Sequence, residues 1–211
     1  MKNIILYGAP AAGKGTQCEL LKEKCGYTHI SMGQLFRDLD DSTELGRRIH
    51  ETIANGNLVD DETTAKLLQN KLKELGNVPI VLDGFPRTLN QAKVLDNFFE
   101  NYVVVNLEID EELALKRVLG RLNCDNCGKI YNIYFEDKSP KEVNKCDICG
   151  AHLSARQDDN AESFKNRFNI YVNNVKDILD FYSNKNVSYN VSSIDALETF
   201  NEIQKILNGG D

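Results

Sequence analysis

The chain has 211 residues, of which 41% are hydrophobic and 27% are charged, and its formal net charge is −7. These values are typical of a globular protein with room for one α/β core and insertions. The acidic balance argues against nucleic acid as the main partner, and no apolar run approaches the roughly 20 residues that span a membrane. The first residues lack the features of a signal peptide, so we expect a cytoplasmic protein.

The first sixteen residues predict a phosphate-binding loop between a strand and a helix. Residues 1–7 read as a short apolar strand, and residues 8–16 follow with the sequence GAPAAGKGT. In this pattern the glycines let backbone N–H groups point at phosphate oxygens, and the helix N-terminus adds positive potential. Lys14 is expected to reach the outer phosphates, and Thr16 is expected to face Mg²⁺. An ordinary Gly/Ala turn is the alternative, and the order of strand, loop and helix argues against it.

Short apolar runs alternate with segments of helical periodicity along the rest of the chain. The predicted strands lie near residues 3–7, 27–31, 79–83, 103–109 and 187–191. This alternation predicts an α/β fold whose core is a doubly wound, five-stranded parallel sheet. Two segments interrupt it, namely a polar helical insertion at residues 31–60 and a cysteine-containing segment at residues 122–159. The core then comprises residues 1–30, 61–121 and 160–211.

Glycines and polar residues mark where the predicted helices begin and end. Thr88 is expected to cap a helix at residues 90–99, and Asp110 a helix at residues 111–121, because their side chains can accept hydrogen bonds from first-turn N–H groups. Gly26 is expected to end the first helix. In the polar insertion the expected helix breaks are Gly46, Asn55 and Gly56.

Four of the six cysteines form two C-x-x-C pairs, each followed by glycine. The paired residues are Cys124, Cys127, Cys146 and Cys149. Two such knuckles suit a tetrahedral Zn²⁺ bound by four thiolates, which is a closed site with a structural role. Disulfides and an iron–sulfur centre are the alternatives, and a reducing compartment favours a metal site. The other two cysteines, Cys18 and Cys25, are expected to be small buried side chains of the first helix.

A carboxylate and an arginine stand at the end of the third predicted strand. Asp83 ends an apolar run, and Arg87 follows on a Gly-Phe-Pro turn, at the sheet edge where α/β folds bind ligands. Asp83 fits a carboxylate that organises Mg²⁺ through water, with a helix cap as the alternative. Arg121 and Arg156 bracket the cysteine-containing segment, so its movement would carry both. For any single arginine the alternative is a solvated surface group, and Arg87 fits that alternative least.

Taken together, these residues resemble the adenylate kinase family, in the long form whose lid binds zinc. The resemblance covers nearly the whole chain, and it rests on residues 8–16, 31–37, 82–88, Gln91, 117–121, both cysteine pairs, 156–159 and Arg167. It implies the Mg²⁺-dependent reaction ATP + AMP ⇌ 2 ADP, with small-molecule nucleotides as the partners. It also implies a P-loop core, an insertion at 31–60 that binds the nucleoside monophosphate, and a zinc-ribbon-like lid at 122–159. We expect a monomer.

The resemblance also implies roles for individual residues. The expected catalytic residues are Lys14, Asp83, Arg87, Arg121, Arg156 and Arg167. The expected ATP contacts are Ala11, Ala12, Gly13, Lys14, Gly15, Thr16, Arg117, Arg121, Ile130, Tyr131 and a backbone carbonyl near Ile194. The expected AMP contacts are Met32, Arg37, Asn57, Leu58, Val59, Gly84, Phe85, Arg87, Gln91, Arg156 and Arg167. Asp158 and Asp159 are expected to act in lid closure.

Three positions depart from the usual pattern of that family. Ala11 stands where the family usually has Gly, which should be tolerated unless the loop needs a positive φ there. Met32 replaces Thr and Gln34 replaces Asp, so the polar groups on the AMP side differ.

Two other functions remain open from the sequence. A uridylate/cytidylate kinase of the same fold is opposed by Gln91, because pyrimidine enzymes tend to present Asn there, but Met32 keeps this alternative open. A non-catalytic nucleotide sensor with a zinc ribbon would bind ATP without transferring its phosphate.

Overall fold

The computed structural model describes residues 1–209, which form a main sheet, a small second sheet and eight α-helices. The strands are β1 (Asn3–Gly8), β2 (Thr28–Ser31), β3 (Ile80–Asp83), β4 (Tyr102–Glu108), β5 (Arg121–Cys124), β6 (Ile130–Asn132), β7 (Leu153–Ser154) and β8 (Ser188–Ser192). The helices are α1 (Lys14–Cys25), α2 (Met32–Arg37), α3 (Glu44–Ala54), α4 (Asp61–Leu75), α5 (Leu89–Leu95), α6 (Glu111–Leu119), α7 (Ala161–Ser183) and α8 (Ala196–Leu207).

The main sheet has five parallel strands in the order β2-β3-β1-β4-β8, which confirms the predicted core. Successive side chains of a strand point to opposite faces, and both faces of this sheet are covered. Ile4 and Ile5 are each 0% exposed, although they belong to the two different hydrophobic clusters. Burial on both faces explains why these strands read as continuous apolar runs. The loop that follows β1 therefore emerges at the carboxyl edge, between two neighbouring strands.

The insertion at residues 31–60 contains α2 and α3 and shares the core of the main sheet. Ile49 and Val59 are buried in the same hydrophobic cluster as β1 and β3. The prediction that Gly46 breaks a helix is wrong, because Gly46 lies in the first turn of α3. A Cβ at Gly46 would overlap the carbonyl oxygen of Asp40, so the glycine permits a close backbone approach. Gly56, with a φ of 71°, lies just after the end of α3, as expected.

Two predicted helix starts are confirmed, and both helices end earlier than expected. The side chain of Thr88 accepts a hydrogen bond from the N–H of Gln91 at 3.1 Å, and that of Asp110 accepts one from Leu113 at 2.8 Å. Helix α5 ends at Leu95 because tight turns take the chain down to β4. Helix α6 ends at Leu119 because the next residues begin β5.

The segment between α6 and α7 folds as a separate three-stranded antiparallel sheet of order β6-β5-β7. These strands have only two to four residues, which is too short for a clear alternating pattern in the sequence. Its buried cluster consists of two cysteines, one tyrosine and one leucine, namely Cys124, Tyr131, Cys146 and Leu153. We refer to residues 122–159, which contain this sheet except for Arg121 at the start of β5, as the lid.

Helix α7 runs from the lid back along the main sheet. Near its start, Phe164 packs against Ala114 and Val118 of α6. Towards its end, Ile178 and Tyr182 are buried in the core. The helix is thereby anchored to α6 near its start and to the main sheet towards its end. None of the helices within residues 1–209 carries an apolar stretch of the length that a lipid bilayer requires.

Candidate active site and metal centre

The phosphate loop connects β1 to α1 through several residues in left-handed backbone conformations. Gly13 precedes α1 with a φ of 87°. Gly8 has a φ of 136°, and a Cβ there would lie 2.6 Å from the carbonyl oxygen of Leu107. Ala11 has a φ of 60°. The loop therefore needs a positive φ at this position, which is unfavourable for alanine. A non-glycine residue in this region costs roughly 1–2 kcal/mol, so Ala11 strains the loop.

The side chain of Lys14 is held inside the phosphate loop by backbone carbonyls. Its Nζ donates hydrogen bonds to the carbonyl oxygens of Gly8 at 2.9 Å and Ala9 at 2.7 Å. Burial lowers the pKa of Lys14 to about 8, with Asp83 opposing this effect. The ammonium group is therefore positioned at the loop and is mostly charged at neutral pH.

One cavity of about 880 Å³ lies between the phosphate loop, the insertion at 31–60 and the lid. All six arginines selected from the sequence line it, namely Arg37, Arg87, Arg117, Arg121, Arg156 and Arg167. Asp83 and Thr16 line the same cavity. The fold therefore brings together cations that are more than 100 residues apart in the chain.

Three of the residues expected at the nucleotides do not line this cavity with their side chains. Ala12 and Met32 are fully buried in the core, and Ile194 is 71% exposed. The carbonyl of Ile194 accepts a hydrogen bond from Nη2 of Arg117 at 3.0 Å. Arg117 and the backbone carbonyl near Ile194, which were both predicted to contact ATP, are thus in direct contact.

The arginines of the cavity are only partly neutralised by carboxylates. Nε of Arg121 donates to Asp159 at 2.7 Å, and Nη1 of Arg167 donates to Asp158 at 2.6 Å. Burial, together with the neighbouring charges of Arg121 and Arg37, lowers the pKa of Arg156 to about 10. Such mutual repulsion indicates a local excess of positive charge, which suits a polyanionic ligand.

Gln91 is buried beside the cavity, where its amide group is held by the protein. Its Oε1 accepts a hydrogen bond from the N–H of Arg87 at 2.7 Å, and its Nε2 donates one to Asp61 at 2.8 Å. Asp61 also accepts a hydrogen bond from the hydroxyl of Thr88 at 3.1 Å. An amide offers two N–H groups and two acceptor sites, so one of each remains available. Sequence reasoning missed Asp61, because its partners lie about 30 residues away.

The departure at Gln34 has a clear structural consequence. The Oε1 of Gln34 accepts a hydrogen bond from Nη2 of Arg37 at 3.0 Å, and its Nε2 donates to Asp38 at 2.7 Å. Gln34 therefore orients the guanidinium group of Arg37 and keeps it at the cavity. Gly33 leaves room for this arrangement, since a Cβ there would lie 3.3 Å from Nη1 of Arg37.

The ring of Tyr131 belongs to the core of the lid. Its hydroxyl accepts a hydrogen bond from the N–H of Asp147 at 2.8 Å and lies 3.5 Å from Sγ of Cys146. Phe135, which the sequence analysis did not select, lines the cavity and lies beneath the ammonium groups of Lys116 and Lys138. The signal that could have found Phe135 is an aromatic residue with a lysine three residues later, in a segment without helical periodicity.

The four lid cysteines converge on one point. Their sulfur atoms all lie within 4.8 Å of one another, with Cys124 and Cys149 separated by 3.3 Å and Cys127 and Cys146 by 3.5 Å. A disulfide bond would need about 2.05 Å, whereas four thiolates at about 2.3 Å from a tetrahedral zinc lie about 3.8 Å apart. The donor set and the spacing fit Zn²⁺.

Hydrogen bonds prepare one of these thiols for metal binding. Burial raises the pKa of Cys146, but hydrogen bonds from the Tyr131 hydroxyl and from backbone amides outweigh it and lower the pKa to about 6. The thiolate is the form that binds metal. Gly128 and Gly150, which follow the two pairs, have φ angles of 77° and 74° and allow both knuckles to turn.

A phosphate loop on a central parallel strand, together with a cavity rich in arginine, defines a P-loop nucleotide-binding protein. Residues 6–187 match the family model described as adenylate kinase. The chain is 41% identical over 206 residues to the adenylate kinase of Borrelia duttonii, covering 97% of this chain and 94% of that protein. It is 38% identical over 212 residues to the adenylate kinase of Listeria innocua, and the match covers 97% of this chain and 98% of that protein. It is 37% identical over 213 residues to that of Thermosipho africanus, with 98% of both covered. The chain belongs to the adenylate kinase family, as the motifs predicted.

Proposed function

We propose that the chain catalyses the reversible, Mg²⁺-dependent transfer of the γ-phosphoryl group of ATP to AMP, which gives two ADP. The observation that carries this proposal is the convergence of Lys14 and six arginines on one cavity. Phosphoryl transfer requires in-line placement of two nucleotides and positive charge around the group that moves. The curated relatives that match over nearly the whole chain are named adenylate kinases.

The chemistry needs no general base, because the attacking phosphate of AMP is already an anion at neutral pH. Lys14, Arg121, Arg156 and Arg167 neutralise the charge that develops on the transferring group. Asp83 and Thr16 lie on the same cavity and offer the oxygen ligands that Mg²⁺ prefers. When bound, Mg²⁺ neutralises the phosphate oxygens of ATP.

Arg37 and Arg87 hold the phosphate of AMP, and the insertion at 31–60 encloses its base. The buried amide of Gln91 presents its remaining N–H and acceptor site to the adenine edge, while Asp61 and the N–H of Arg87 fix its orientation. Asn57, Leu58, Val59, Gly84 and Phe85 complete the pocket around AMP.

The adenine of ATP binds between Arg117 and the carbonyl of Ile194. Its amino group replaces Arg117 as the donor to that carbonyl, and the guanidinium group then lies against the face of the ring. Ile130 of the lid covers this side of the cavity. The N–H groups of residues 11–16 and the start of α1 bind the phosphates.

The chain divides into a core at residues 1–30, 61–121 and 160–211, the AMP-binding insertion at 31–60, and the lid at 122–159. Residues 210–211 of the core lie outside the described residues. Closure of the lid carries Arg121 and Arg156 onto the phosphates and keeps water from the γ-phosphoryl group. Asp158 and Asp159 guide that closure through their ion pairs with Arg167 and Arg121. Zn²⁺ bound by the four lid cysteines has a structural role.

The enzyme acts as a monomer in the cytoplasm. All the residues assigned to the two nucleotides come from one chain, so a second subunit is not needed to complete the site. A site of four free thiols suits a reducing compartment.

A steady-state assay with ATP and a panel of AMP, UMP and CMP tests the proposal. We expect AMP to give the highest kcat/KM. Faster turnover with UMP or CMP would instead identify a pyrimidine monophosphate kinase. ATP binding without turnover of any monophosphate would identify a sensor.

A further inference from the structure

A second group of metal-ligand side chains lies on the main sheet, apart from the lid cysteines. It consists of Cys18 on α1, His29 on β2 and Asp83 at the end of β3. One ligand atom of each residue, namely a thiol sulfur, an imidazole nitrogen and a carboxylate oxygen, lies within 4.8 Å of the other two. The proposed reaction uses Asp83 alone, and it gives Cys18 and His29 no role.

The fold determines this grouping through strand register and helix packing. His29 pairs with Val81 and Ser31 pairs with Asp83 in the parallel β2–β3 ladder. Because side chains alternate along a strand, His29 and Asp83 lie on the same face of the sheet. Helix α1 covers this face, where Cys18 is buried in the same cluster as Val81. Three separate elements therefore aim their side chains at one point.

The imidazole of His29 has an unused hydrogen-bonding position inside the protein. Its Nε2 is buried and has no hydrogen-bond partner among the described residues. A neutral imidazole carries one lone pair on its ring, which can bind a metal ion. Buried polar atoms without partners are uncommon in folded proteins and call for an explanation.

We propose that Cys18, His29 and Asp83 form a second metal site that binds a borderline divalent cation such as Zn²⁺. Sulfur, imidazole and carboxylate are the three ligand types that zinc takes in proteins, at about 2.0–2.3 Å. Three protein ligands leave a fourth position open towards the cavity, which His29 and Asp83 line. Mg²⁺ takes oxygen ligands in octahedral geometry and is not expected at the sulfur and nitrogen donors. On binding, the Cys18 thiol gives its proton to solvent and the thiolate coordinates the ion.

Zinc at this site inhibits the enzyme, because it occupies the carboxylate of Asp83 that organises Mg²⁺. This consequence rests on the proposed function, whereas the metal site itself does not. Zinc would thus act at two places with opposite effects: it stabilises the lid through four cysteines and blocks the reaction through Cys18, His29 and Asp83.

Equilibrium dialysis of the full chain against buffered Zn²⁺ tests the site by counting bound ions. We expect two zinc ions per wild-type chain, but one in Cys18→Ala and one in His29→Gln. Removing an outer-shell partner already weakens metal binding by roughly 10- to 100-fold, so loss of a direct ligand should cost on the order of 100-fold or more. Cys25→Ala is the matched control, since Cys25 lies on the same helix outside the cluster, and it should keep two ions.

The dialysis result overturns the site if the wild type binds one zinc, or if both variants keep two. Should Cys18→Ala fail to fold, His29→Gln decides the question, because Gln keeps a polar side chain of similar size.

An activity assay at fixed free Zn²⁺ and excess Mg²⁺ tests the inhibition. The zinc concentration for half-inhibition should rise on the order of 100-fold or more in Cys18→Ala and His29→Gln, and should stay unchanged in Cys25→Ala. If a second zinc ion binds without inhibition, the inference that zinc and Mg²⁺ compete for the carboxylate of Asp83 is wrong. No transfer to any monophosphate by the chain with zinc in the lid and no excess Zn²⁺ would overturn the proposed function, and the dialysis count would still decide the metal site.

Discussion

The core sheet and the lid are stabilised by different physical means. The main sheet separates two extended hydrophobic clusters, and its central strands are buried on both faces. The lid has one small cluster, in which two of the four buried residues are cysteines of the candidate zinc site. Burial of apolar area stabilises the first region, since each buried aliphatic side chain contributes about 1.5–3 kcal/mol. A segment as small as the lid cannot bury enough area and needs a metal ion.

The largest expected effect is loss of the lid fold when its metal is removed. Structural zinc sites contribute apparent free energies of about 10–16 kcal/mol in small peptides. We therefore expect chelation, or the Cys146→Ser substitution, to unfold residues 122–159 while the main sheet stays folded. Hydrogen exchange resolved by segment measures this directly.

Cys25→Ser is the control for the lid experiment, because Cys25 belongs to α1 and lies outside the metal site. It should leave lid protection unchanged. A single global transition, with lid and sheet unfolding at one midpoint in Cys146→Ser, would show that the two regions are not separable.

The next largest effect concerns Arg87, which the core presents to the cavity without help from the lid. We expect Arg87→Ala to lower kcat/KM on the order of 10³-fold or more, which corresponds to about 4 kcal/mol of transition-state stabilisation. Arg48→Ala is the control, because Arg48 is exposed and its contact with Asp60 is long at 3.9 Å. Retained activity in Arg87→Ala would contradict the proposed mechanism, and so would equal losses in both variants.

A matched pair of leucines separates core stability from lid stability. Leu82 is fully buried in the main sheet and Leu153 is buried in the lid cluster. Leu82→Ala should lower the free energy of unfolding of the whole protein by about 2–5 kcal/mol. Leu153→Ala should leave the global denaturant midpoint nearly unchanged and increase hydrogen exchange in the lid. If Leu153→Ala shifts the global midpoint as far as Leu82→Ala, the comparison between the two regions fails.

A smaller effect follows from the lowered pKa of Lys14, which is about 8. Because kcat/KM reports ionisations of the free enzyme, it should fall by about tenfold per pH unit above pH 8 for ATP. In the complex with ATP, the negative phosphates stabilise the protonated form of Lys14. The fall in kcat should therefore lie at higher pH than the fall in kcat/KM. The fall in kcat/KM should persist in Leu153→Ala, since Lys14 belongs to the core. A value of kcat/KM that stays constant with pH up to about pH 9.5 would contradict the assignment of the lowered pKa to Lys14.

The same pKa shift has a defined sign for stability. The pKa of Lys14 is lowered from its ordinary value of 10.5 to about 8 on folding, so the unfolded chain binds more protons between these two values. The contribution of Lys14 to the free energy of unfolding therefore rises with pH across this window.

The smallest expected effect is at Ala11, whose φ is 60°. Ala11→Gly removes a strain of about 1 kcal/mol but adds backbone freedom to the unfolded chain, so we expect a stabilisation below about 1 kcal/mol. Ala12→Gly is the matched control, because Ala12 is fully buried and its φ is not positive. It should destabilise the protein by about 0.5–1 kcal/mol. Thermal unfolding of both variants checks the prediction, and a loss of stability in Ala11→Gly would contradict it.

Local sequence signals were sufficient for much of the fold. The phosphate loop, the five strands, the caps at Thr88 and Asp110 and the four lid cysteines all depend on residues close together in the chain. The break predicted at Gly46 was wrong, because the reason for that glycine is a close approach of the backbone at Asp40, which residue type alone does not reveal.

The amino-acid sequence by itself determined the phosphate loop, the alternation of strands and helices, and the two cysteine knuckles, because short-range geometry and periodicity specify each of them. Only the tertiary structure decided the strand order and the hydrogen bond between Gln91 and Asp61. It also decided that Tyr131 lies in the lid core and that Cys18, His29 and Asp83 lie close together. Each of these depends on register or packing between elements distant in the chain. Such long-range contacts leave no periodic signal in a single sequence.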